Sequence, residues 1–196
     1  MIRIGLTGGI GMGKSTTAAL LAARGFPVVD TDDLARDIVE PGQAALADIR
    51  ACFGPGVIAE DGSLRRDEVA KIVFADEGKR RQLEAILHPR IRERWQHSLK
   101  IWQEAGASTG VVVIPLLFET GAETEFDRVL CTACTAGTQL KRLQARGWSE
   151  EQCRQRIAAQ WSAQRKIDLS HGVIWTEASR EVHDEQLGWL LSRWVK

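Results

Sequence analysis

Residues Gly8 to Thr16 read G-G-I-G-M-G-K-S-T, and within them Gly8, Gly13, Lys14 and Ser15 satisfy the G-x-x-x-x-G-K-[ST] spacing. Glycines at 8, 9, 11 and 13 let the backbone approach a ligand without Cβ clashes and take φ > 0. Main-chain N–H groups of Gly9, Gly11, Met12 and Gly13 then form an anion nest at a helix N-terminus. Lys14 has the reach for β- and γ-phosphates, the hydroxyl of Ser15 suits Mg²⁺, and Thr16 adds a further donor. The chemistry implied is binding of a nucleoside triphosphate with its Mg²⁺. A glycine-rich turn with no ligand is the competing reading. It is disfavoured by the apolar run before the loop (Ile2 to Leu6) and the helix-forming run after it (Thr17 to Ala23).

Two further groups of residues could act on a bound triphosphate. Asp30-Thr31-Asp32-Asp33 stands at the end of the second apolar run, Phe26 to Asp30, where α/β sheets place ligands. Asp32 is the first choice for orienting or deprotonating a hydroxyl, and helix capping is the competing role for its neighbours. From Lys141 to Lys166 the chain carries seven cations, Lys141, Arg142, Arg146, Arg154, Arg156, Arg165 and Lys166. Most read as a solvated helical face. Arg142 and Arg146, one helical turn apart, share a face and suit bidentate contact with phosphoryl oxygens, as in a lid that closes over the donor.

The elements that must position these groups follow from periodicity. Strand, helix and strand within the first 30 residues form a βαβ unit and predict a parallel sheet. Further strands are expected at Gly110 to Pro115, Arg128 to Thr132 and Val173 to Trp175. The run at Gly110 to Pro115 is very apolar and is expected to be central. Residues of about 40–106 read as helical (Ala44 to Phe53, Arg66 to Phe74, Glu77 to Gly106 with Pro89 kinking or dividing it), with a loop at Gly54 to Ser63. Ile91, Trp95, Leu99 and Trp102 form one apolar stripe on that last helix, so the tryptophans read as packing residues. Helices are expected at Gln139 to Arg146 and Ser149 to Ala163, hinged at Gly147, with a closing helix at Ser179 to Val195. The organisation expected is a single α/β domain over residues 1–196, with a helical substrate-side insertion at about 40–106 and a lid at about 139–166.

Composition narrows the classes. Lys plus Arg balances Asp plus Glu at 26 each, so no overall field favours nucleic acid or a membrane surface. No apolar run approaches the length of a span, and the chain opens directly on its first strand, so a cytoplasmic protein without a signal peptide is expected. Cys131-Thr-Ala-Cys134 lies in an apolar run with no second metal-ligand pair, so Cys131 and Cys134 read as buried structural thiols. The chain holds no Asn, which excludes the Asn-Lys-x-Asp guanine reader of P-loop GTPases. The strand at Val111 to Ile114 runs into Pro115 rather than an acidic residue, which argues against a motor or switch ATPase.

Taken together, G-L-T-G-G-I-G-M-G-K-S-T (Gly5 to Thr16), V-V-D-T-D-D-L-A-R (Val28 to Arg36), V-E-P-G (Val39 to Gly42), L-H-P (Leu87 to Pro89), P-L-L-F-E (Pro115 to Glu119) and Q-L-K-R-L-x-x-R (Gln139 to Arg146) resemble the dephospho-CoA kinase family, in family order along most of the chain. The resemblance implies a P-loop NTPase three-layer fold like that of nucleoside monophosphate kinases, with a five-stranded parallel sheet, a helical CoA-side subdomain and a lid. It implies ATP-dependent phosphorylation of the ribose 3′-hydroxyl of dephospho-CoA, the last step of coenzyme A synthesis, with Mg²⁺. By position Asp32 matches the family's proposed catalytic Asp, and Arg142 and Arg146 fall in the lid. Arg36, His88, Pro89, Leu116 and Glu119 lie in acceptor-side motifs, and Gln160 and Lys166 also fit. The expected partners are ATP and dephospho-CoA, with no nucleic acid or membrane, and a monomer is expected.

Two departures stand out. Met12 replaces a small residue that the family usually carries. Ser170 to Thr176 (S-H-G-V-I-W-T) stands where the family reads close to A-D-V-V-I-x-N, so both the Asp and the Asn are missing. That segment serves the adenine end of ATP, and base affinity or selectivity is where a consequence is expected. Another P-loop small-molecule or nucleotide kinase, or a non-catalytic nucleotide-binding module, are the alternative readings.

Overall fold

The computed structural model describes residues 1–195 and resolves into two compact units, one of Met1–Asp30 with the chain from Leu99 onward, the other of Thr31–Ser98.

The first unit is built on a five-stranded, wholly parallel sheet in the order β2-β3-β1-β4-β5. Its strands are β1 (Ile2–Gly8), β2 (Val28–Asp30), β3 (Thr109–Val113), β4 (Arg128–Ala133) and β5 (Gly172–Trp175). β1 lies at the centre, and β3, expected there for its apolarity, lies beside it with every residue buried. Alternation along β1 explains how both sheet faces are covered. Ile4 and Leu6 join Leu20, Leu21, Val111, Val113, Leu130, Ile174, Leu187, Leu190 and Leu191 in one core. Gly5 turns the other way, where a Cβ would lie 2.6 Å from Leu117 Cδ1 and 3.0 Å from the Phe126 ring.

Its helices are α1 (Lys14–Ala23), α6 (Ala136–Gln144), α7 (Glu150–Ala158), α8 (Ala163–Asp168) and α9 (Arg180–Trp194). The single helix expected over Ser149 to Ala163 is two, because each piece has its own start signal. Ser149 and Gln152 form a capping box on α7, and the Ser162 hydroxyl accepts the Arg165 N–H at the head of α8. Cys131, Cys134 and Cys153 are buried free thiols. Burial pushes the Cys131 thiol up to about 11 and Cys134 upward as well, which keeps both protonated and inert. Arg3 clasps Asp127 through its backbone N–H and guanidinium, and that bonding holds the Asp127 carboxyl down at about 2.

The second unit is helical: α2 (Thr31–Asp37), α3 (Ala44–Phe53), α4 (Arg66–Ala75) and most of α5 (Glu77–Glu104). Of the Asp-rich segment expected at the end of the second strand, Asp30 closes β2, while Thr31, Asp32 and Asp33 form the first turn of α2, where the two carboxylates favour the positive end of the helix dipole. Ile38, Val39, Ala45, Ile49, Val57 and Val69 form its core. The segment 54–63 contains a 3₁₀ turn at Pro55–Val57 and leads into a bridge between Ile58 and Leu64. α5 runs through Pro89 without ending. The carbonyl that loses its usual partner there belongs to Ala85, an exposed residue, so the break in hydrogen bonding falls toward solvent. Trp95 and Leu99 are buried on the apolar stripe of α5.

Candidate active site

β1 delivers the chain to the phosphate loop at Gly8, whose φ of 144° and crowding by β4 leave no room for a side chain. A Cβ there would lie 2.4 Å from Thr132 Oγ1 and 2.5 Å from the Thr132 carbonyl oxygen. Gly13 forms the N-cap of α1 in the left-handed conformation, φ 92°, so no side chain caps the first turn. Lys14 begins α1, and its ammonium donates to the Gly8 and Gly9 carbonyls at 2.8 and 3.1 Å. The cation is thereby held over the loop it would share with a phosphate. Ser15 and Thr16 are exposed on the same first turn. Met12 is buried at 3% exposure, and its N–H donates to the Gly9 carbonyl at 3.2 Å, a tight turn inside the loop.

Several side chains from distant elements close around this loop. Thr176, just after β5, is buried; its hydroxyl donates to the Met12 carbonyl at 3.3 Å and its methyl packs on Gly13. Arg142 on α6 forks onto Thr176, donating to its hydroxyl at 2.9 Å and to its carbonyl, and reaches the Gly11 carbonyl at 3.5 Å. The departure at Thr176 thus sits against the phosphate loop as well as at the end of β5. Glu177 accepts hydrogen bonds from the Thr135 N–H and the Thr138 hydroxyl at the head of α6; these bonds, the backbone one first, lower its carboxyl below the usual range. Also at the head of α1, His183 Nε2 lies 2.8 Å from Thr17 Oγ1, and Thr17 Oγ1 lies 3.3 Å from the Gly13 carbonyl.

The segment after β3 is tied down as firmly. Lys166 on α8 is fully buried and donates to the Pro115 carbonyl at 2.7 Å and to Glu119 Oε1 at 2.9 Å. Glu119 Oε1 also accepts the Trp161 N–H at 2.8 Å. The Trp161 ring stacks parallel to Phe118 and carries the Arg165 guanidinium 3.3 Å from its centroid. Leu116 is half-buried in this segment.

Of the site residues expected from sequence, Gly9 to Thr16, Arg142, Leu116, Glu119 and Arg146 belong to the sheet-bearing unit, where the loop and Arg142 come together and Arg146 is exposed. Asp32, Arg36, His88 and Pro89 belong to the helical unit, and all four are exposed. Arg36 is paired with Asp33 at 2.8 Å. Sequence reasoning did not single out Thr17, Thr176 or His183 as supports of the loop. Buried polar residues spaced far along the chain carry no local signal of what they will face.

The phosphate loop on a parallel sheet is compatible with many kinases, and the chain's likeness to known proteins decides among them. The dephospho-CoA kinase family profile matches residues 2–181. The chain is 40% identical over 194 residues to a dephospho-CoA kinase of Geobacillus kaustophilus, covering 98% of this chain and 96% of that one. The crystal structure of TT1252 from Thermus thermophilus superposes with a TM-score of 0.87 at 33% identity, covering 100% of this chain and 98% of that one. A dephospho-CoA kinase from Campylobacter jejuni shares the fold at a TM-score of 0.73 and 23% identity, covering 98% and 96% of the two chains. No helix among the described residues is long and apolar enough to cross a membrane. The chain belongs to the dephospho-CoA kinase family, the ATP-dependent kinases of the final step of coenzyme A synthesis.

Proposed function

We propose that the chain transfers the γ-phosphoryl group of ATP to the ribose 3′-hydroxyl of dephospho-CoA, with Lys14 and Arg142 acting on the donor and Asp32 on the acceptor. The family match over residues 2–181 carries this reading, because a phosphate loop by itself specifies only a nucleotide.

The loop N–H groups of Gly9 to Thr16 bind the phosphates, and Lys14 balances charge on the β- and γ-oxygens. Arg142 and Arg146 stabilise charge on the transferring group. For Arg142 this requires exchanging the Thr176 carbonyl for a phosphoryl oxygen, an exchange between two oxygen acceptors on one flexible side chain. Asp32 orients the acceptor hydroxyl in line and accepts its proton. Arg36, His88, Pro89, Leu116 and Glu119 line the acceptor side. The helices of about 40–106 carry the CoA-binding subdomain and residues 139–166 the lid, which excludes water so that transfer outruns hydrolysis.

The residues suit Mg²⁺ that arrives with the triphosphate. Ser15 offers an exposed hydroxyl on the first turn of α1, and among the described residues no trio of His, Cys, Asp or Glu forms a separate metal cage. Mg²⁺ needs none, since it takes phosphate oxygens and waters as its remaining ligands. Ser15 would hold it, with a carboxylate acting through water, and the ion would spread the charge of the β- and γ-phosphates. The protein is proposed to work as a cytoplasmic monomer without nucleic-acid or membrane partners.

Release of ADP, coupled to a reporter reaction, tests the assignment with and without dephospho-CoA. ADP release that depends on dephospho-CoA is expected. Release at the same rate without it would make the chain an ATPase, and no release with any acceptor would make it a binding module.

A further inference from the structure

Ile10, at the apex of the phosphate loop, has both its main-chain groups gripped by side chains. Its N–H donates to Gln160 Oε1 at 2.9 Å. Its carbonyl accepts from Gln139 Nε2 at 2.8 Å. Gln139 is 95% buried on α6, and Gln160 stands between α7 and α8. Both anchors are themselves fixed. Gln139 lies against the loop, since a Cβ on Gly9 would be 3.2 Å from its Nε2. Gln160 immediately precedes Trp161, whose N–H is held by Glu119.

We propose that Gln160 and Gln139 are positioning residues for the triphosphate, setting the orientation of the two peptide planes that flank Ile10. A trans peptide points its N–H and C=O in opposite directions, and no cis bond occurs here. With the Ile10 N–H drawn toward Gln160, the carbonyl of the same plane, that of Gly9, faces the other way. There it accepts the Lys14 ammonium at 3.1 Å and the Met12 N–H at 3.2 Å. Gln160 therefore acts on Lys14 through one rigid peptide. With the Ile10 carbonyl drawn toward Gln139, the Gly11 N–H of that plane is directed away from α6. Glycines at 9 and 11 give this its purpose, because the residues on either side of Ile10 have no Cβ to restrict those planes. One residue on α6 and one just after α7 thereby shape the loop.

The inference rests on the phosphate-binding reading of the loop, and its test separates the two. The probe is ADP, titrated calorimetrically into the purified chain, alongside KM values for ATP and dephospho-CoA and the melting temperature. Gln160→Ala and Gln139→Ala are each expected to weaken ADP about tenfold, the ratio for one lost hydrogen bond to a buried main-chain group. The KM for dephospho-CoA should stay within about twofold in both. Substitution by Glu distinguishes positioning from packing. Gln160→Glu still accepts the Ile10 N–H and restores ADP binding to within about threefold of the parent, whereas Gln139→Glu sets a carboxylate against the Ile10 carbonyl and falls below Gln139→Ala. Equal behaviour of the two Glu variants, or a loss of dephospho-CoA affinity matching that of ADP, overturns the proposal. A parent chain that binds ADP but shows no acceptor-dependent turnover would overturn the kinase reading and leave the clamp standing.

Discussion

Lys166 holds its ammonium 2.9 Å from Glu119 Oε1 with none of its side chain exposed. The same ammonium donates to the Pro115 carbonyl at 2.7 Å, so one buried cation ties α8 to the segment that leaves β3. A lysine survives burial only when its charge is balanced and acceptors meet its donors; here the Glu119 carboxylate supplies the charge and, with the Pro115 carbonyl, two acceptors. Glu119, expected from sequence on the acceptor side, therefore also serves as a structural counter-ion. Its Oε2 is buried with no hydrogen-bond partner.

Removing one member of that pair should cost more than removing both. Lys166→Met leaves the Glu119 carboxylate buried opposite a methyl group and is expected to lower unfolding stability by about 3–5 kcal/mol. Lys166→Met with Glu119→Leu should recover part of the loss, with the unmet Trp161 N–H limiting the recovery to leave about 1–3 kcal/mol. Urea unfolding of the single and double variants measures the difference. A double variant as unstable as the single one would count against a charge-based origin.

Lys14 and Asp32 should separate activity from stability. Lys14→Ala and Asp32→Asn are each expected to lower turnover about 10²–10⁴-fold if they act as proposed. Asp32 is exposed on the first turn of α2, so its loss should take no more than about 1 kcal/mol from stability. Near-normal turnover of Asp32→Asn with unchanged circular dichroism would remove it from the mechanism.

Thr176 offers a way to read the loop's support at the end of β5. Thr176→Val keeps the shape that packs on Gly13 but deletes the hydroxyl that serves both Arg142 and the Met12 carbonyl. A loss of about 1–3 kcal/mol is expected, from acceptor and donor groups left unmet in a buried place. The parallel Arg142→Ala should reduce turnover about 10²-fold, beyond any change in melting temperature. An unchanged rate would make Arg142 a structural tie to Thr176.

His183 should give the fold a pH dependence near neutrality. The arrangement that satisfies both contacts has His183 Nε2–H donating to Thr17 Oγ1, and the Thr17 hydroxyl donating to the Gly13 carbonyl. Burial lowers the proton affinity of His183; Arg142 and Arg180 reinforce this, and Asp184 opposes it. The folded state thus binds fewer protons than the unfolded one below the ordinary histidine range. The stabilising contribution is complete above a pH of about 6.5 and is lost progressively as pH falls toward the lowered folded value. The urea midpoint should drop between neutral and mildly acidic pH, and His183→Gln should flatten that slope. A slope unchanged by the substitution would assign the effect to another group.

The phosphate loop was legible from sequence because its requirement is local: glycines, a lysine and a hydroxyl at set spacing, between an apolar run and a helix-forming one. The five strands and the helix at Ala44–Phe53 were legible for the same reason, as was the burial of Cys131 and Cys134. Local apolarity did not rank the strands. The run at β3 is very apolar, yet β1 takes the middle place with β3 beside it, because strand order depends on which segments pair across more than a hundred residues. The supports of the loop were hidden for the same reason. Gln139 reaches Ile10 across 129 positions, Gln160 across 150, and His183 reaches Thr17 across 166. A buried polar side chain shows in the sequence only its capacity to donate or accept, and only the folded chain decides which group it meets.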